Sequence, residues 1–179
     1  MKLCNWIGLL ALSIAVAGCT LETPLAPSGN NTGNNNIISQ QPNGGETGVV
    51  TNIIDGDTID VAIGGIEQRV RYVGVNTPER DEPCYGDARD ANSDLVRGQT
   101  VTLVRDVSDT DRYGRLLRFV YVGDTFVNAT LVAQGWAEAV EYSPDTGQTA
   151  YFRSLEEAAA AANLGCHPTG IFDDGTMTR

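Results

Sequence analysis

The chain has 179 residues with 12 Lys and Arg against 23 Asp and Glu, a formal net charge of −11, and Lys2 is its only lysine. That balance argues against a general electrostatic grip on nucleic acid, which rests on basic surface and counterion release. Fields act over only about 8 to 10 Å in salt, so a local cluster of arginines stays open.

Met1-Lys2 gives a short positive start, Ile7 to Val16 is an apolar run broken only by Gly and Ser, and Val16-Ala17-Gly18-Cys19 closes it with small residues. The pattern is a secretory signal, too short for an ordinary spanning helix. Because the small residues end directly on Cys19, residues 1–19 resemble a bacterial lipoprotein signal, in which that cysteine is lipidated and becomes the new N-terminus. The expectation is an extracytoplasmic protein held to a membrane of the cell envelope through Cys19; a soluble protein cleaved nearby is the alternative. Residues 20–47 are rich in Asn, Gly, Pro, Thr, Gln and Ser with few large apolar side chains, which reads as a flexible tether. From about Gly48 to Arg179 the chain is one domain in length and large enough to bury a core.

Of the four cysteines, Cys4 leaves with the signal and Cys19 takes the lipid, so Cys84 and Cys166 remain as an even pair in an oxidising location. A disulfide between them is expected. Two free thiols or a soft-metal site is the poorer alternative, since only one histidine, His167, is available to complete a ligand set.

The folded part opens with Val49, Val50, Ile53 and Ile54, then Asp55-Gly56, then Ile59, Val61 and Ile63 in alternation: two strands about a two-residue turn needing positive φ, with Asp57 opening the second strand. Gly64-Gly65 is a second turn, and Ile66 to Val75 reads as a third strand. Tyr85 to Arg97 has helical spacing through Ala88, Ala91, Leu95 and Val96, and Gly98 ends it. Val101 to Arg105 and Leu116 to Val122 are strands four and five, joined by Asp106 to Arg115. Phe126 to Gln134 is a short helix with Val127, Leu131 and Val132 turned inward. Thr149 to Asn163 is a third, with Tyr151, Leu155, Ala158, Ala159 and Ala162 on its stripe. The order β-β-β-α-β-β-α-α is that of an α+β fold dominated by a five-stranded Greek-key barrel of the OB type with three helices.

Directly after the third strand, Asn76-Thr77-Pro78-Glu79 forms a stiff turn, because Pro78 fixes its own φ and pushes Thr77 out of the helical region. The Asp57 carboxylate, the Asn76 amide oxygen and the Thr77 carbonyl would make three oxygen ligands for Ca²⁺, with Glu79 one short step away to hold a water. A solvated turn aspartate is the plain alternative for Asp57.

Three motifs now stand in order: Asp55-Gly56-Asp57-Thr58, then Arg71 ahead of Asn76-Thr77-Pro78-Glu79, then Asp111-Arg112-Tyr113-Gly114-Arg115. Together they resemble the staphylococcal nuclease (thermonuclease) family from about Val49 to about Gly165. The resemblance implies a Ca²⁺-dependent phosphodiesterase that hydrolyses DNA and RNA, single strands more readily than paired ones. It implies Asp57, Asn76 and Thr77 as metal ligands, Glu79 as general base, Arg71 and Arg115 as the guanidiniums that grip the phosphate, and Asp55 behind the ligands. Arg112 and Tyr113 follow as substrate contacts, with Arg80 and Arg89 as further candidates, and a monomer is expected. His167 is expected to be structural, since nothing adjacent orients it.

The chain departs from the pattern in three places. Asn76 stands where the family reference has aspartate, which removes one negative charge from the metal set. The tyrosines that flank the nucleotide fall near Glu141 and Ser143, with Tyr142 between them, which leaves that side of the pocket open to question. The reference's lysine-rich loop is replaced by a short acidic stretch with Asp81 and Glu82. A non-catalytic module that binds nucleic acid or protein on the same barrel is the rival reading, and a calcium-stabilised structural domain is a third.

Overall fold

The computed structural model describes residues 44–173 and 175; the expected signal, Cys19 and nearly all of the expected tether lie outside the described residues. The first strand, β1 (Glu46–Ile53), starts two residues before the expected domain boundary. It is followed by β2 (Thr58–Ile63), β3 (Ile66–Tyr72), β4 (Val75–Asn76), α1 (Tyr85–Val96), β5 (Thr100–Val104), β6 (Leu116–Val122), β7 (Thr125–Phe126), α2 (Val127–Ala133), β8 (Glu138–Ala139) and α3 (Thr149–Ala161). The main sheet runs β3-β2-β1-β5-β6-β7, and parallel pairing of β3 with β6 (Val70↔Leu116, Arg71↔Leu117, Tyr72↔Arg118) closes five of its strands into a barrel. The expected α+β architecture, an OB-type barrel with three helices, is the one observed.

Alternation explains the barrel interior. Val50 and Ile53 of β1, Ile59 and Val61 of β2, Val70 and Tyr72 of β3, Val101 and Leu103 of β5 and Val120 of β6 are all buried. Strict period two would turn Asn52 inward, but a register shift between Val50 and Asn52 inserts one residue and returns Ile53 to the core. Val96 of α1, Leu131 and Val132 of α2 and Phe152 of α3 close the core from outside the sheet. The Asn128 amide links two elements, accepting from the Val120 N–H and donating to the Val73 carbonyl, both at 2.9 Å.

Three expectations need correction. The third strand does not run through to Val75: it stops at Tyr72, the chain turns at Val73-Gly74, and Val75–Asn76 pairs with Glu138–Ala139 in a separate two-stranded ladder. Gly74 makes this possible, with φ of +76° and the Phe152 ring 2.8 Å from where a Cβ would stand. Helix α3 buries Thr149, Phe152 and Ala159 and leaves Ala158 and Ala162 exposed. The reason is packing: Phe152 meets Phe119 and Phe126 in an aromatic cluster at centroid distances of 6.2 and 5.6 Å, and this cluster sets the rotation of an alanine-rich helix. The third is the expected two-residue turn at Asp55-Gly56, where neither residue has positive φ.

Candidate active site

Asp57 lies in the link between β1 and β2, immediately before the first residue of β2. The link spans residues 54–57 instead of two, and neither Asp55 nor Gly56 adopts positive φ. Glycine is needed at 56 for space: a Cβ there would stand 2.7–2.8 Å from the Thr77 side chain. Thr77 is thereby admitted to Asp57, whose Oδ2 accepts from the Thr77 N–H at 2.9 Å and from its hydroxyl at 3.1 Å. Oδ1 accepts from the Thr58 hydroxyl at 3.1 Å and faces Arg71 Nε at 3.1 Å. Asp55 turns its own Oδ1 to the Asp57 N–H at 3.0 Å. Burial, and after it the charge of Asp57, push the Asp55 carboxyl up to about 7.

Arg71 is the hub. Its Nη1 donates to the Tyr72 and Val75 carbonyls at 2.6 and 2.7 Å, and its Nη2 donates to Asn76 Oδ1 at 2.9 Å. A guanidinium has five N–H donors, so these bonds leave two for the Asp57 side and for a ligand. Arg71 is therefore a buried, prealigned cation and not a free surface charge. Asn76, held on β4, passes the contact on: its Nδ2 donates to Glu138 Oε1 at 3.0 Å. Glu79 follows Pro78 on an exposed turn closed by a reciprocal pair, Glu79 N–H to Glu82 Oε2 at 2.7 Å and Glu82 N–H to the Glu79 carbonyl at 2.8 Å. Partial burial, then Asp57, raise the Glu79 carboxyl above its ordinary value, against the opposing pull of Arg71 and Arg115.

Arg71 also lines a cleft of about 770 Å³, together with Asp111, Arg112, Tyr113, Arg115, Tyr142 and Asp145 among others. The Asp111–Arg115 segment is a turn organised by one carboxylate. Asp111 Oδ1 accepts from the Tyr113 and Arg115 N–H groups at 2.9 and 3.0 Å, and Oδ2 takes Arg115 Nε at 2.6 Å. Among the described residues nothing hydrogen-bonds the Arg115 terminal nitrogens, while the side chain remains about a third exposed at the cleft. Tyr113 is 69% exposed, with the Arg112 and Arg115 guanidiniums 4.8 and 5.6 Å from its ring centre. Across the loops, Asp145 Oδ1 accepts from the Val107 and Ser108 N–H groups at 2.9 and 2.7 Å, tying the walls together.

Arg71, Arg112, Tyr113 and Arg115 thus meet at one cleft, and Asp57, Asn76 and Thr77 gather behind Arg71. Glu79, Arg80 and Arg89 are not among the cleft-lining residues, though Glu79 feels the charges of Asp57, Arg71 and Arg115. His167 packs edge-on against Phe172 at 5.2 Å, beside the Cys84–Cys166 disulfide, which the structure contains with Cα atoms 5.6 Å apart. Two residues carry no assigned role in the sequence reading. Tyr142 does line the cleft, on the side that the departures left open. Glu138 is buried beside Asn76; the available signal was a lone acid inside the otherwise apolar run Trp136-Ala137-Glu138-Ala139-Val140. Among the described residues no three His, Cys, Asp or Glu side chains form a metal-holding group. With an amide at position 76, Asp57 is the one carboxylate of the expected ligand set.

A closed OB-type barrel with an arginine- and tyrosine-lined cleft beside a buried aspartate defines the class. The staphylococcal nuclease homologue model matches residues 69–166, more than half of the chain, and the chain belongs to that family. It is 42% identical over 119 residues to endonuclease YncB of Bacillus subtilis (strain 168), covering 62% of this chain and 56% of that protein. It is 38% identical over 107 residues to thermonuclease of Staphylococcus intermedius, covering 56% of this chain and 64% of that one. Protein ParB of Escherichia coli is 36% identical over 127 residues, 66% of this chain and 70% of its own. The chain therefore spans less than two thirds of the first two relatives.

Proposed function

We propose that the protein is a calcium-dependent nuclease that hydrolyses phosphodiester bonds in DNA and RNA, single strands first. The observation that carries this reading is that Arg71 and Arg115 line one cleft while Arg71 touches Asp57 from the other side. Two guanidiniums placed to share one phosphate are a means of gripping the anion and stabilising the charge that builds on its equatorial oxygens. Arg115 brings terminal nitrogens that no group among the described residues uses, while Arg71 brings orientation. Glu79, with its proton affinity raised by burial and by Asp57, suits a base that takes a proton from water as the water oxygen bonds to phosphorus and the P–O ester bond breaks. Tyr113 and Tyr142 both line the cleft and give it an aromatic character suited to bases.

The donor set suits a hard cation because all of its members are oxygens: the Asp57 carboxylate, the Asn76 amide oxygen and the Thr77 carbonyl. A single carboxylate among them implies modest affinity. When bound, calcium supplies Lewis-acid polarisation of the phosphate oxygen. The site of action follows from the signal pattern, which supports an extracytoplasmic protein tethered through lipidated Cys19, and the Cys84–Cys166 disulfide fits an oxidising compartment.

Cleavage of single-stranded DNA at low salt, with calcium or with a chelator, tests the reading, beside Glu79→Ser. Calcium-dependent cutting that the substitution abolishes is the expected result. Folded protein that binds the strand and leaves it intact would establish instead a binding module, which the extensive internal bonding of Arg71 favours.

A further inference from the structure

Glu138 and Asn76 face each other as directly paired residues of the β4–β8 ladder, and both are buried, at 7% and 1% exposure. Their bond is one link in a chain: the Arg71 Nη2 group donates to Asn76 Oδ1, and Asn76 Nδ2 donates to Glu138 Oε1. The orientation of the amide is fixed by its neighbours, because a guanidinium only donates and a carboxylate only accepts. A carboxylate at position 76 would meet Arg71 equally well but would present an oxygen to Glu138. On the other side, the bond from Asn76 to Glu138 exists only while position 76 carries an N–H. The two residues therefore make one unit with one polarity. Burying an acid is costly unless its charge is answered, and here one amide stands between the Glu138 carboxylate and the Arg71 cation. Of the charged groups nearby, Glu156 accepts from the Ala139 N–H and Arg153 pairs with Glu141, so neither displaces Asn76 from Glu138.

We propose that Glu138 is a positioning residue for Arg71. By polarising the Asn76 amide it strengthens the bond on Nη2 and, with the Tyr72 and Val75 carbonyls on Nη1, fixes the guanidinium plane with Nε on Asp57 and one Nη2 N–H left for a ligand. Asn76 then serves as a relay between Glu138 and Arg71 as much as it serves as an oxygen donor. The inference deepens the proposed nuclease reading and rests on it for the role of Arg71.

The test compares the full protein with Glu138→Gln, Asn76→Asp and the double variant. Each is read by thermal melting, by hydrogen exchange of the Arg71 Nε–H in ¹⁵N spectra, and by kcat and KM on single-stranded DNA. Glu138→Gln keeps a neutral hydrogen bond, so it is expected to melt close to wild type while kcat falls about tenfold with little change in KM, as for other outer-sphere supports. Asn76→Asp alone sets two buried carboxylates against each other and is expected to lose both stability and cleavage and to speed Arg71 exchange. In the double variant the new glutamine N–H meets the new carboxylate, so exchange, melting and most of kcat should return. Asn76→Asp behaving as wild type, or losses in the double variant that merely add, would overturn the proposal, as would recovery of melting without recovery of Arg71 exchange. If the wild type cuts no nucleic acid, the nuclease reading fails, and Arg71 exchange across the same variants still decides whether Glu138 positions it.

Discussion

At the scale of single residues the two arginines differ in what holds them, and the difference predicts different mutant behaviour. Among the described residues the Arg115 side chain hydrogen-bonds only through its Nε, to Asp111, and sits over the Tyr113 ring, so Arg115→Ala is expected to leave the barrel intact and, on the proposed reading, to remove donors to the phosphate. Its expected effect is a loss of about 10²- to 10³-fold in kcat with normal melting, measured on single-stranded DNA; activity within a few-fold of wild type would remove it from the catalytic set. Arg71→Ala strips the Tyr72 and Val75 carbonyls and Asn76 of a donor inside the protein, so it should lower stability as well as activity. Gly56→Ala is a sharper probe. The new methyl would collide with Thr77, and Thr77 must retreat from Asp57, so a folded variant with weakened calcium response is expected; wild-type calcium titration and activity would show that the close approach does not matter. This glycine also marks what a sequence can and cannot convey. Asp-Gly invites a turn reading from its immediate neighbours, whereas the real constraint is a side chain far along the chain, which no local pattern encodes.

At the scale of elements, alternation and helical spacing were enough to place all five barrel strands and three helices, because each is long enough to show a period against its buried face. The β4–β8 ladder has two residues on each side and therefore no period, so Glu138 and its pairing with Asn76 went unread. The face of α3 was misread for a related reason: a run of alanines defines no unique stripe, and Phe152 chose it through tertiary contacts. Loops are harder still, and the two that wall the cleft are joined by Asp145. Asp145→Ala would leave the Val107 and Ser108 N–H groups without their acceptor, at a cost of about 1–3 kcal/mol, and should raise KM by freeing the loop that carries Tyr113 and Arg115. Burial alone would raise the Asp145 carboxyl, but the hydrogen bonds from Ser108 and Val107 prevail and hold it below the ordinary 3.8. A group lowered in the folded state contributes stability above its unfolded value and loses it as pH falls through the folded one. The stability gap between wild type and Asp145→Ala, followed by urea melts, should therefore be full near neutral pH and close below about pH 4. A gap unchanged at pH 3 would contradict the charged-acceptor account.

At the scale of the whole molecule, one covalent bond joins the approach to α1, five residues past Glu79, to the segment after α3. Cys84 and Cys166 are 82 positions apart, so their bridge closes most of the barrel domain into a loop. In the chain-entropy treatment a closure of that length restricts the unfolded chain by about 4.5 kcal/mol, which is a large share of the roughly 5–15 kcal/mol by which domains are stable. The fold has its own closed core and does not need the bridge to define its topology, so Cys84→Ser with Cys166→Ser should still fold in the cold. Its melting temperature should drop by about 10 to 20 °C, since each kcal/mol moves a domain of this size by a few degrees. Activity of the pair variant, assayed well below its melting point, separates two roles for the bridge. Near-normal kcat would mean that the disulfide acts on the unfolded chain alone. A fall in kcat at a temperature where the protein is fully folded would mean that it also holds the turn carrying Glu79 in place. An unchanged melting temperature would remove the bridge from the account of stability altogether.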